Sequence, residues 1–239
     1  MGEYGRRLII VFLVLTVLLL LMESYGIDGN LLTFARYLVV LLLSMTAYLK
    51  RGPNHEQKIL FLAFPLMLIG DFFLVVSYTI GGFPENFRYA GFIPFTIAYL
   101  IITRIYAKGF KWNPWLLLPT VIYGLLLMVV GFLIFPHLTG LQRTLGSMVA
   151  LALTSMAWTG ASTVWSGYYS RKTSIMMGLS GFLMLICDYG VAFDLFYPEV
   201  SSIRIALPLN IVWLAYIPGW TLLALVVAQG DIFATVYEQ

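Results

Sequence analysis

Two aspartates stand where so apolar a chain has least reason to keep a charge. Asp71 lies in Leu68-Ile69-Gly70-Asp71-Phe72-Phe73-Leu74, and Asp188 lies in Leu185-Ile186-Cys187-Asp188-Tyr189-Gly190. An ionisable group at membrane depth is costly, so each is a functional-site candidate, with structural pairing to an arginine as the rival reading. Two carboxyl groups brought close together do not readily both ionise. Such a pair offers one proton donor and one acceptor, the requirement of general acid–base chemistry. The same layer of the chain receives Arg36, Arg88 and Arg204 from the starts of apolar stretches, and Asp194 from the end of the stretch that carries Asp188. A guanidinium fork suits phosphate oxygens, but near an interface it also snorkels to lipid headgroups. Tyr99 and Tyr216 are candidates to hydrogen-bond the aspartates or orient water, against the commoner role of packing with a satisfied hydroxyl.

The elements that position these residues follow from composition. The chain has 239 residues, 61% hydrophobic and 10% charged, far from the roughly 25% charged of a soluble domain, so a soluble reading is excluded. Apolar windows long enough to span a bilayer recur at 7–23, 31–49, 59–80, 88–107, 114–135, 144–166, 174–197 and 205–228. The expected fold is therefore an all-α polytopic membrane bundle of about eight transmembrane helices, forming a single integral membrane domain over 1–239. Arg6 and Arg7 precede the first apolar run, but that run meets Glu23-Ser24 without a small-residue cleavage pattern, so it reads as a retained helix.

If the helices alternate, Arg6, Arg7, Lys50, Arg51, Lys58, Arg104, Lys108, Lys111, Arg171 and Lys172 fall on one side. Arg36, Arg88, Arg143 and Arg204 fall on the other. The excess marks the cytoplasmic side and puts both termini there. Asp71 and Asp188 then reach matching heights in the outer half of the bilayer, where they could face each other. His55 and His137 fall in loops on opposite sides, so no histidine metal site is expected. No basic, aromatic-interleaved cluster points to nucleic acid. The small hydroxyl residues Ser155, Thr159, Ser162 and Ser166 form one stripe at helical spacing, better suited to helix packing than to a wet cavity.

An internal repeat is also expected. With Asp71 set on Asp188, a proline follows in each loop (Pro84, Pro198). An arginine then opens the next helix at +17 and +16 (Arg88, Arg204), and a tyrosine stands at +28 in both (Tyr99, Tyr216). Halves of about four helices, 1–112 and 113–239, would share one orientation and bring equivalent positions to equal depth at their interface.

The run Gly70-Asp71-Phe72-Phe73-Leu74, followed by Phe87-Arg88-Tyr89-Ala90-Gly91-Phe92 and Phe95, resembles the YhhN family, the lysoplasmalogenases. Gly181-Phe182-Leu183-Met184-Leu185-Ile186-Cys187-Asp188, with the later Trp213-Leu214-Ala215-Tyr216, resembles that family's other aspartate-bearing region. The chain departs from the family pattern at Tyr99, where a histidine is expected, at Tyr216, where a glutamine is expected, and at Cys187, where a small residue or serine is common. The resemblance implies hydrolysis of the vinyl ether bond of a lysoplasmalogen to a fatty aldehyde and a glycerophospho-headgroup, with Asp71 and Asp188 as acid and base and no cofactor. Its partner molecules would be a single-chain ether phospholipid and the surrounding membrane lipids. Arg88 and Arg204 would hold the phosphate, with Arg36, Tyr99, Tyr216 and Asp194 completing the substrate region. The competing class is a proton-coupled transporter or carrier of a small or lipid-like solute, since paired acids at a repeat interface also serve transport. Against it, Pro65, Pro94, Pro119, Pro208 and Pro218 are scattered rather than matched between the halves. No lysine follows Lys172 to hold a retinal, and no Gly-x-Ser-x-Gly elbow occurs.

Overall fold

A computed structural model of the chain describes residues 3–196 and 210–234. In hydrocarbon every backbone N–H and C=O must find its partner within the protein, and a helix does this within one segment. Among the described residues the chain forms eight long helices, named here α1 (Glu3–Ser24), α2 (Gly29–Lys50), α3 (His55–Ile80), α4 (Asn86–Tyr106), α5 (Pro114–His137), α6 (Gly140–Ser166), α7 (Arg171–Phe196) and α8 (Ile211–Ala228). Seven are long and apolar enough to cross a membrane. The eighth, α6, is the longest at 27 residues, but its serines, threonines and glycines lower its hydropathy. The all-α polytopic bundle is as expected, and each expected window falls on one of these helices.

Local chemistry sets several boundaries. Asp28 caps α2, its carboxylate accepting from the backbone N–H groups of Asn30 at 2.9 Å and Leu31 at 3.1 Å. His55, expected in a loop, opens α3 directly after its cap residue Asn54. α4 begins as a 3-10 turn over Glu85–Gly91 and becomes α-helical at Phe92. The start of the last helix expected at 205 lies outside the described residues, as does Arg204.

α6 packs along both α7 and α4, and α7 packs along α8. Small residues allow the first contact: a Cβ on Gly181 would come within 3.0 Å of Ala157 Cα, and one on Gly160 within 3.0 Å of the Met177 carbonyl. The hydroxyl stripe is mostly internal to this seam. Thr159, Ser162 and Ser166 are buried and bond carbonyls of their own helix, whereas Ser155 faces outward. Thr163 and Ser174 bond across it, the Ser174 hydroxyl donating to the Thr163 carbonyl at 3.0 Å.

The end of the bundle that carries the basic loops is tied by polar groups. Gln57 Nε2 donates to the carbonyls of Val226 and Gln229, at 3.0 and 2.6 Å, and Lys108 pairs with Glu56 at 2.8 Å. The segment after α8 then docks on the α6–α7 turn, where Ser170 N–H donates to the Ile232 carbonyl at 3.0 Å and the Tyr169 and Phe233 rings stack. Burial, with the nearby Glu56 carboxylate second, pushes the Tyr168 hydroxyl above its ordinary range, so it stays a neutral donor to Glu56.

Candidate functional site

Asp71 closes a regular helical segment, Ala63–Asp71, and the next five residues, Phe72–Val76, form a π-turn. The Ser77 N–H bonds the Phe72 carbonyl, five residues back, and the widened turn begins directly after the carboxylate. Single π-turns inside α-helices concentrate at functional sites because they re-aim side chains that a regular helix would direct elsewhere. α4 approaches this point closely. A Cβ on Gly91 would lie 2.7 Å from the Gly70 carbonyl oxygen, and one on Gly70 would meet the Phe95 ring at 2.7 Å. The Gly70-Asp71 pair and Gly91 thus let two helices touch beside the carboxylate.

Each aspartate accepts a hydrogen bond from a tyrosine on another helix. The Tyr216 hydroxyl, on α8, donates to Asp71 Oδ2 at 2.5 Å. The Tyr99 hydroxyl, on α4, donates to Asp188 Oδ2. Each tyrosine lies 28 positions after one aspartate in sequence and bonds the other. Rings fix the donors: Tyr216 packs edge-on against Trp220 at 5.6 Å between centroids, and Tyr99 stacks on Phe95 at 6.0 Å. Two residues past Tyr216, Pro218 removes the N–H that would have bonded the Leu214 carbonyl, loosening α8 beside its donor.

Both carboxylates line one cavity of about 340 Å³. Its walls come from α3 to α8 and are almost wholly apolar, with Leu74, Phe92, Val130, Leu153 and Leu195 among them. Cys187, Tyr189, Tyr216 and Ser147 add a few polar atoms. The acids mark its inner part, since the lining reaches no deeper than Asp71 on α3 and Tyr216 on α8. The opposite part is lined by Phe135, Leu138, Phe196 and Val212, which stand at the helix ends remote from the basic loops.

The rival reading of the aspartates called for a cation beside them. Among the described residues neither carboxylate makes an ion pair, and each accepts a hydrogen bond from a tyrosine hydroxyl. Arg36 pairs with Glu23 at 2.6 Å, and its guanidinium lies over the Trp213 ring at 4.7 Å. Asn210 donates to the same Glu23 at 2.9 Å. Arg36 is therefore buried behind Trp213, which lines the cavity, and is not itself part of the wall. Arg88 stacks over Tyr78 at 4.5 Å, and its buried Nε has no hydrogen-bond partner among the described residues. Asp194 is exposed on α7, six positions beyond Asp188, and does not line the cavity. Of the substrate-region candidates, the structure gathers Tyr99 and Tyr216 around the aspartates and leaves Arg36, Arg88 and Asp194 outside the wall.

Sequence reasoning missed Glu23 as the partner of Arg36, and it missed Ser147 and Trp213 as wall residues. It counted Arg143 only as a charge. For Arg143 and Ser147 a signal existed, because spacing of four places both on one face of α6.

The sequence profile of the YhhN family matches residues 31–227, which include both aspartates, both tyrosines and the helices α3 to α8 that build the cavity. No curated protein and no solved structure matches the chain. With a family match over most of its length, this chain belongs to the YhhN family.

Proposed function

We propose that the chain is a membrane lipid hydrolase that cleaves the vinyl ether bond of a lysoplasmalogen. The observation that carries this reading is the pair of carboxylates, Asp71 and Asp188, lining one apolar cavity within the helical bundle with no ion-pair partner among the described residues. An apolar wall suits an alkenyl chain, and two carboxyl groups supply the two proton transfers the reaction needs. One carboxyl donates its proton to the outer carbon of the C=C bond, whose π electrons take it up, leaving an oxocarbenium ion at the ether carbon. The other carboxylate takes a proton from water as the water oxygen bonds that carbon. The resulting hemiacetal then breaks its bond to the glycerol oxygen, which leaves as an alcohol while the carbon becomes an aldehyde. Proton flow in this last step restores both carboxyl groups to their starting states. Tyr99 and Tyr216 orient the carboxyl groups during these steps.

The reading includes a topology and an ancestry. The basic loops lie on the cytoplasmic side, so the cavity mouth faces the outer leaflet. The halves 1–112 and 113–239 are a parallel repeat, supported by the crossed bonds in which the tyrosine of each half holds the aspartate of the other.

Purified protein supplied with lysoplasmalogen is expected to release fatty aldehyde. Asp71→Asn and Asp188→Asn, each confirmed as folded by its melting transition, are expected to lose at least about a hundredfold in rate, the scale of a missing acid or base. Absence of aldehyde from the wild type with both ethanolamine and choline headgroups would sink the assignment, and ion-coupled flux in liposomes would become the leading reading.

A further inference from the structure

The cavity wall contains no lysine or arginine among the described residues, so a protein cation for the phosphate headgroup of a single-chain amphiphile would stand at the mouth. Arg143 is placed to be that cation. It lies in the first turns of α6, its Nε donating to the Leu138 carbonyl at 3.2 Å and its guanidinium over the Phe135 ring at 4.6 Å. Leu138 and Phe135 both line the cavity, so the guanidinium rests on the rim. Its two Nη groups have no protein partner among the described residues, and no carboxylate pairs with it there. Ser147, one turn inward on the same face, lines the cavity and donates its hydroxyl to the Arg143 carbonyl at 2.7 Å. Farther in, Thr154 meets the hydroxyl of Tyr189, the neighbour of Asp188, at 2.6 Å.

We propose that Arg143 binds the phosphate of a lysophospholipid headgroup whose chain occupies the cavity. This rests on the lipid reading of the site and deepens it by naming the residue that recognises the headgroup. Ser147 is seven residues from Thr154, about 10 Å of helical rise, so a headgroup held beside Arg143 lies toward the mouth from the acids while its chain runs inward. The present contacts of the guanidinium are one hydrogen bond and one ring face, both of which reorientation of its own side chain toward a phosphate at the rim would release. A guanidinium then meets two phosphate oxygens with parallel N–H bonds, which a lysine cannot match. Arg36 is held by Glu23 and Trp213, and Arg88 by Tyr78, so neither competes for this place.

The test is equilibrium binding to the full chain in nanodiscs, using a saturated 1-O-alkyl lysophospholipid and the 1-O-alkylglycerol that lacks only the phosphate. The expected result is that Arg143→Gln weakens the phospholipid about tenfold, as loss of a charge-assisted pair should, leaves the alkylglycerol unchanged, and that Arg143→Lys falls between. Unchanged phospholipid affinity in Arg143→Gln would overturn the assignment. So would equal weakening of both ligands, or no binding of either to the wild type. Inorganic phosphate bound as tightly as the lipid would make this a free-anion site and overturn it as well. Neither probe has a vinyl bond, so the result is independent of whether the cavity cleaves one.

Discussion

At the scale of residues, the site consists of two carboxylates and the two hydroxyls that aim them. A tyrosine hydroxyl that donates to a carboxylate in an apolar cavity fixes which carboxylate oxygen is left open, and in the proposed reaction its partner carries charge at some stage. Removing such a donor costs more than an ordinary hydrogen bond. Tyr99→Phe and Tyr216→Phe keep the ring and therefore the packing against Phe95 and Trp220. Each is expected to lower kcat for aldehyde release about tenfold with KM within about twofold, because the hydroxyls bond the acids rather than the lipid. A rise in KM at unchanged kcat would show instead that the tyrosines hold substrate. Asp71 and Asp188 were legible in the sequence because a charge within an apolar run stands out by itself. The bonding of the tyrosines was not legible. The chain has 15 tyrosines, and nothing in their spacing says that Tyr99 reaches Asp188 while Tyr216 reaches Asp71.

At the scale of elements, the aspartate on α3 is aimed by irregularity. A π-turn follows it, and glycines at 70 and 91 bring α4 against it. Gly91→Ala places a methyl group 2.7 Å from a backbone oxygen that has no flexible side chain to yield, so α3 and α4 must separate. The expected cost is about 1–3 kcal/mol, the range for overpacking a tight contact. It is measurable as a lower melting temperature in detergent, with aldehyde release falling further than the melting shift explains. A variant as stable and active as the wild type would mean that the close approach does not position Asp71. The two glycines were visible in the sequence, but the π-turn was not. Phe72-Phe73-Leu74-Val75-Val76 reads as ordinary apolar helix, and only the packing of this turn against Glu85–Gly91 of the next helix shows where it widens.

At the scale of the whole molecule, the proposed topology turns the cavity mouth away from the basic loops and toward the outer leaflet. In a Cys187→Ala background, single cysteines replacing Lys111 and His137 report opposite faces. A membrane-impermeant maleimide added to intact cells is expected to label the cysteine at 137 and to spare the one at 111 until the membrane is permeabilised. The reverse pattern would turn the mouth to the cytoplasm and reject the proposed topology. Sequence by itself determined the membrane class, the places of the helices and the family, and it singled out both aspartates within apolar helices. These follow from local composition, since the hydrophobic cost of exposing an apolar run or burying a charge depends on the residue and its near neighbours. The tertiary structure decided which polar group meets which. It paired Arg36 with Glu23, left both aspartates to tyrosines, and put Arg143 on the rim of the cavity. Such pairings depend on the rotation and register of helices distant in sequence, and a degree of freedom shared between two helices is written in neither one alone.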